Sequence, residues 1–173
     1  MKDTELASVT GGGQYRQVIV KRQINAPIER VWRALTSSEE IHHWWAAGVI
    51  EAREGGKIRL GDQSEPCGAD AGLPLDGTVK VCIAPNIFEF VWHDNYPDAG
   101  LVRFDLLEID ETTTQITLVQ NVPVKDIVLA TAGWYELAER LSVYSTTNEA
   151  VPIYNDPNRF DKLKGLFKND GAG

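Results

Sequence analysis

Ala26-Pro27-Ile28-Glu29-Arg30-Val31-Trp32-Arg33-Ala34-Leu35-Thr36 is the stretch on which the fold turns. Proline suits a first helical turn, because its missing N–H would be unpaired there anyway and its fixed φ is already helical. Behind it, Ile28, Val31, Trp32 and Leu35 follow at i, i+3, i+4, i+7 spacing, which predicts a short amphipathic helix. Immediately upstream the period is two: Val18, Val20 and Ile24 share one face and Lys21 and Gln23 the other, so a half-buried strand is expected over residues 17–25. Downstream, Ser37 and Glu40 have the spacing of a capping box, predicting a second short helix that carries Ile41, Trp44 and Trp45.

Beyond Ala46 the period returns to two. Gly55-Gly56 separates 49–53 from 57–60 as a hairpin, and further strands read at 78–83, 87–93, 101–109 and 115–122, forming an antiparallel meander. Residues 61–76, with Pro66, Gly68, Gly72 and Pro74, read as a long loop of the kind that serves as a lid. A helix is expected over 125–145, with Trp134, Leu137, Ala138 and Leu141 on one face and Glu136, Glu139 and Arg140 on the other. After Pro152 and Asn155-Asp156-Pro157, the residues Phe160, Leu163 and Phe167 predict a short amphipathic helix docked on the body or on a partner. The chain thus divides into a flexible tail at 1–13, ended by Gly11-Gly12-Gly13, a single domain at 14–147 and an extension at 148–173.

Composition narrows the function. The 173 residues suit one core, and the formal net charge of −8 disfavours phosphate backbones and anionic membranes, so nucleic acid and membrane are not expected partners. No apolar run has the length of a signal peptide or a membrane span, and the only cysteines, Cys67 and Cys82, make neither a disulfide framework nor a zinc motif. A cytoplasmic protein is expected, without cofactor or metal.

The order strand, two short helices, curved antiparallel sheet, long helix is α+β. Together with Ala26 to Thr36, Trp44-Trp45, Gly55-Gly56, Gly77-Thr78-Val79, Phe90-Val91-Trp92 and Gly133-Trp134, it resembles the START/SRPBCC superfamily, in particular domains like the Hsp90 ATPase activator homologue. The resemblance spans about residues 17–145. It implies a helix-grip fold of the Bet v 1/START type, in which the sheet wraps around the long C-terminal helix and encloses a cavity. Such a fold hosts carriers, cyclases and chaperone cofactors alike, so it settles architecture ahead of function.

The residues themselves also point to a cavity. Phe88, Phe90 and Trp92 alternate along one strand and should face one side, opposite Trp134 of the long helix, with Trp44 and Trp45 near the rim. These six are the candidate ligand-binding residues, weighed against a plain packed core, where large apolar side chains usually serve. His93 and Asp94 form a candidate acid/base pair at a strand end, weighed against surface residues at a turn. His42 and His43, adjacent on a helix, should diverge by about 100° and so fail to chelate one metal. Cys82, alternating inside a strand, is expected to be inert; Cys67 has no basic neighbour to activate it.

Three functions follow. The first is binding and sequestration of a hydrophobic, polyketide or natural-product-like molecule by a protein that is not an enzyme and admits a homodimer. The second is a polyketide cyclase or dehydratase, with His93, Asp94, Glu89 or Tyr96 moving protons. The third is a protein-binding module of the Hsp90 co-chaperone kind, with the N-terminal domain of those co-chaperones expected to be absent. A narrower form of the first comes from similarity to START-fold self-resistance proteins of enediyne producers, which give up a glycine hydrogen to the toxin's diradical and are cleaved. The similarity covers the Trp44-Trp45 segment, residues 61–77 and 93–106, and implies Gly100 as the hydrogen donor; the competing reading is a turn glycine with positive φ.

Overall fold

A computed structural model describes residues 7–61, 75–92, 100–151 and 158–168. Its strands are β1 (Ala7–Thr10), β2 (Tyr15–Ile24), β3 (Gly48–Ile50), β4 (Lys57–Leu60), β5 (Leu75–Ile83), β6 (Ile87–Trp92), β7 (Leu101–Asp110) and β8 (Thr113–Pro123). The helices are α1 (Ile28–Thr36), α2 (Ile127–Thr147) and α3 (Arg159–Phe167), with single 3-10 turns at Ile41–His43 and Val124–Asp126. All strand pairs are antiparallel in one sheet of order β1-β2-β8-β7-β6-β5-β4-β3. This is the helix-grip fold: β3 to β8 form the expected meander, and β2 closes against β8 instead of against β3, pairing from Tyr15↔Pro123 to Ile24↔Thr114.

Residues 7–10, expected within a flexible tail, instead form a strand on β2, with Ala7 opposite Val20 and Thr10 opposite Gln17. The glycines that suggested disorder make the hairpin turn, Gly11 and Gly13 adopting φ of 107° and 73°, where a side chain would be strained. A second glycine is set by crowding. Gly77, between β4 and β6, would place a Cβ 2.4 Å from the Val91 carbonyl oxygen.

Pro27 occupies the N-cap position of α1, its carbonyl accepting the N–H groups of Arg30 and Val31. Ile28, Val31, Ala34 and Leu35 are buried, as the spacing requires. The second helix shrinks to the 3-10 turn, and the expected capping box does not form. Ser37 ends α1 in extended conformation, and Glu40 is drawn back to ion pairs with Arg30 and Arg33, a stronger partner for a carboxylate than a neutral N–H.

Helix α2 packs on β2, β8, α1 and α3, so it is enclosed on more than one side. Arg140, expected on the solvent face, is therefore buried and donates to the Val151 carbonyl at 2.6 Å, while Leu137 is only half-buried. The amphipathic helix α3 docks on the body: Leu163 and Phe167 are buried, and the Phe167 ring meets Tyr135 of α2 at 5.8 Å. The chain between them turns at Asn148, a left-handed C-cap with φ 59°, and Val151 N–H bonds to the His43 carbonyl. No helix among the described residues is long and apolar enough to cross a membrane.

Candidate functional site

Alternation along β6 puts Phe88, Phe90 and Trp92 on the buried face of the sheet, as expected from the sequence. The neighbouring strands supply residues in the same phase. Phe104 of β7 stands opposite Phe88, and Val102 lies between Phe90 and Gln120 of β8. Trp134 of α2 descends onto this face, because its position in the helix repeat matches Thr131, Ala138 and Leu141, all buried.

The aromatic side chains divide into two joined groups. In the larger, Trp134 is the hub: Trp45, Phe104 and Trp92 each meet its ring edge-to-face, with centroids 5.6, 6.0 and 6.5 Å away, and Trp44 lies against Trp45 at 5.6 Å. In the smaller, Phe88 touches Phe90 at 5.9 Å and Trp32 of α1 at 6.2 Å. Edge-to-face pairs of this kind contribute roughly 0.5–1.5 kcal/mol each beyond area burial. All six residues expected at the site are thus buried on one side of the sheet, while Trp32 and Phe104 join them unforeseen.

Trp44 and Trp45 were expected at a rim, yet only 1% and 2% of their surfaces are exposed. The reason is local. Trp44 Nε1 donates to the Ala34 carbonyl at 2.9 Å, pulling the 3-10 turn onto the end of α1 and carrying Trp45 inward with it.

One polar side chain enters the aromatic group. Gln120, 2% exposed, accepts a hydrogen bond from Trp134 Nε1 at Oε1, 2.5 Å away. The indole N–H groups of Trp45 and Trp92 and the Gln120 amide nitrogen are buried without partners among the described residues. The signal for Gln120 was present in the sequence: it continues the inward phase of Ile116 and Leu118, where a polar residue is out of place.

Gly100 is buried beside this group, its carbonyl accepting the Trp92 backbone N–H at 2.7 Å. His93, Asp94, Tyr96 and Cys67, and all but the ends of the 61–76 loop, lie outside the described residues. Glu89 faces away from the cluster and pairs with Arg103, which also binds Asp105 bidentately at 2.8 Å. Burial pushes the Cys82 thiol up, which keeps it protonated and slow to react.

The His42 and His43 rings do not diverge: their centroids are 3.8 Å apart, and His43 stacks on Tyr144 at 5.3 Å. Rotation about the side-chain bonds brings them together despite the backbone offset, and the Tyr144 ring holds His43 there. Among the described residues no group of three or more His, Cys, Asp or Glu side chains could hold a metal ion.

Residues 25–146 match the family model described as Activator of Hsp90 ATPase homolog 1-like protein. No curated protein matches the chain significantly. Among solved structures, a conserved protein of unknown function from Enterococcus faecalis aligns with a TM-score of 0.72 at 18% identity, covering 97% of this chain and 94% of that one. CalU16 from Micromonospora echinospora aligns with a TM-score of 0.71 at 19% identity, covering 96% of each chain. DynU16, from the dynemicin biosynthetic locus, aligns with a TM-score of 0.63 at 20% identity over 78% of this chain and 48% of its own. At such identities these likenesses establish the fold.

Proposed function

Given that the chain belongs to the Activator of Hsp90 ATPase homolog 1-like family, we propose that it binds and sequesters a hydrophobic, natural-product-like small molecule between its sheet and α2. One observation carries this reading: four of the five tryptophans, Trp44, Trp45, Trp92 and Trp134, form one continuous buried group with the inward face of β6 and β7. Apolar, aromatic linings with few polar groups are the usual surroundings of small-molecule sites. The fold-level likeness to a protein of the dynemicin biosynthetic locus agrees with a natural product as ligand.

The finer form of the proposal is self-sacrifice. An enediyne diradical held against Trp92 would take the α-hydrogen of Gly100, forming a C–H bond on the ligand and leaving a carbon radical flanked by two amides. Capture of that radical by dioxygen then leads to chain scission. What supports Gly100 is its position, hydrogen-bonded to Trp92 at the edge of the aromatic group.

A thermal-shift screen against aromatic polyketides and an enediyne, with intact mass on each hit, tests both levels. Any ligand that binds only the folded state stabilises it by RT ln(1 + [L]/Kd) and so raises Tm. A shift at unchanged mass supports sequestration, and scission next to Gly100 supports self-sacrifice. Turnover of a polyketide-like chain would replace the proposal by the cyclase reading. No shift across the panel, with capture of Hsp90, would replace it by the co-chaperone reading.

A further inference from the structure

We infer that the ligand of the aromatic group presents a neutral hydrogen-bond acceptor oxygen, of the ketone or quinone kind, to the N–H donors that surround Trp134. The inference rests on the small-molecule reading above and adds the polarity of the ligand to it.

An indole nitrogen can only donate, so the Trp134 N–H requires an acceptor, and the Gln120 side chain offers one at Oε1 alone. That bond fixes the amide orientation: Nε2 becomes a donor directed away from Trp134. It has no partner among the described residues, and neither do the indole nitrogens of Trp45 and Trp92. Trp45 and Trp92 pack on Trp134 with their planes at 77° and 81° to it, so all three unpaired donors belong to side chains in direct contact with one residue.

A buried donor with no partner carries an uncompensated desolvation cost, and native structures seldom tolerate several together unless a ligand or water completes them. The polarity is one-sided. The acceptor oxygen of Gln120 is engaged by Trp134, and Glu89 of β6 faces away from the group and pairs with Arg103. A ligand hydroxyl or amine would therefore meet donors, while a carbonyl oxygen would complete them. None of the three donors is charged, so a carboxylate would lose its hydration without gaining a counter-ion. A neutral carbonyl on a flat apolar body fits both conditions.

Fluorene and 9-fluorenone test this, since they share one tricyclic skeleton and differ by a carbonyl oxygen. Their affinities are measured on the full chain, with the five indole N–H resonances followed in protein carrying 15N-labelled tryptophan. Fluorenone is expected to bind roughly three- to tenfold more tightly, the net worth of one hydrogen bond. It should move the Trp45 and Trp92 indole resonances downfield and leave that of Trp44, already bonded to Ala34, in place. Trp92→Phe, which removes one unpaired donor and keeps an aromatic ring against Trp134, should reduce the preference; if that variant does not fold, the wild-type resonances decide alone. Equal binding of both compounds, with the Trp45 and Trp92 resonances unmoved, overturns the inference and leaves the apolar-ligand reading standing. Binding of neither overturns both.

Discussion

Trp134 and Gln120 are joined by a buried hydrogen bond from α2 to β8, Nε1 donating to Oε1, in the middle of an otherwise apolar aromatic group. It is the polar tether between the long helix and the floor of the sheet. Gln120→Leu would leave the indole N–H buried without an acceptor, and a cost of roughly 1–3 kcal/mol is expected. Urea denaturation of the two proteins measures it. Unchanged stability would show that the tether contributes nothing.

Glu40 holds Arg30 and Arg33 together, and Arg30 also lies over the Tyr144 ring and donates to Asn148 at 2.9 Å. This group pins the end of α2 to α1. Because Arg30 and Glu40 are both largely sheltered from water, with 15% and 17% of their side chains exposed, Glu40→Ala is expected to cost about 1–3 kcal/mol. Arg33 is mostly exposed, so Arg33→Ala should cost under about 1 kcal/mol. Comparing the two variants in one denaturation series checks the ranking, and equal losses would contradict it.

Asp110 turns the chain from β7 to β8, its Oδ1 accepting the Thr112 N–H at 2.8 Å and the Thr112 hydroxyl at 2.9 Å. The Thr112 N–H, then its hydroxyl, hold the Asp110 carboxyl below its ordinary value. A carboxylate whose folded-state pKa is lowered contributes stability that is complete above its unfolded value and fades as pH falls through the folded one. Asp110→Asn should therefore lower Tm near neutrality and narrow its gap to wild type under strong acid. A gap that stays constant with pH would show that the charge is not involved.

Phe167 anchors α3 on Tyr135 and is almost fully buried. Phe167→Ala should release α3 at a cost of roughly 2–4 kcal/mol to that helix. Limited proteolysis is expected to trim the C-terminal helix from the variant faster than from wild type, while α2 stays resistant in both. Equal rates of trimming would mean that α3 is held by other contacts.

Local pattern was enough for most elements. The spacing of Ile28, Val31 and Leu35 produced α1, the alternation of Phe88, Phe90 and Trp92 produced the inward face of β6, and the family resemblance supplied the grip of helix on sheet. It failed where a distant partner outbid a local one. Glu40 left its capping position for two arginines, and the glycines after Thr10 turned the chain back because β2 offered a free edge for Ala7 to Thr10 to pair with. Arg140 entered the interior because the chain returns to it at Val151.

The candidate site divides in the same way. Periodicity along a strand or helix reports which face a residue occupies, so the sequence by itself determined that Phe88, Phe90, Trp92 and Trp134 turn toward a common interior. It could not determine which of them touch, that Trp45 goes inward with Trp44, or that Gln120 takes the Trp134 N–H. Those depend on strand order and on where α2 crosses the sheet, since Trp92, Gln120 and Trp134 come from three separate elements and Trp45 from the segment before β3, and they meet only after the sheet has closed on the helix. Hydrogen-bond satisfaction is a property of that meeting, so the unpaired donors could be found only in the tertiary structure.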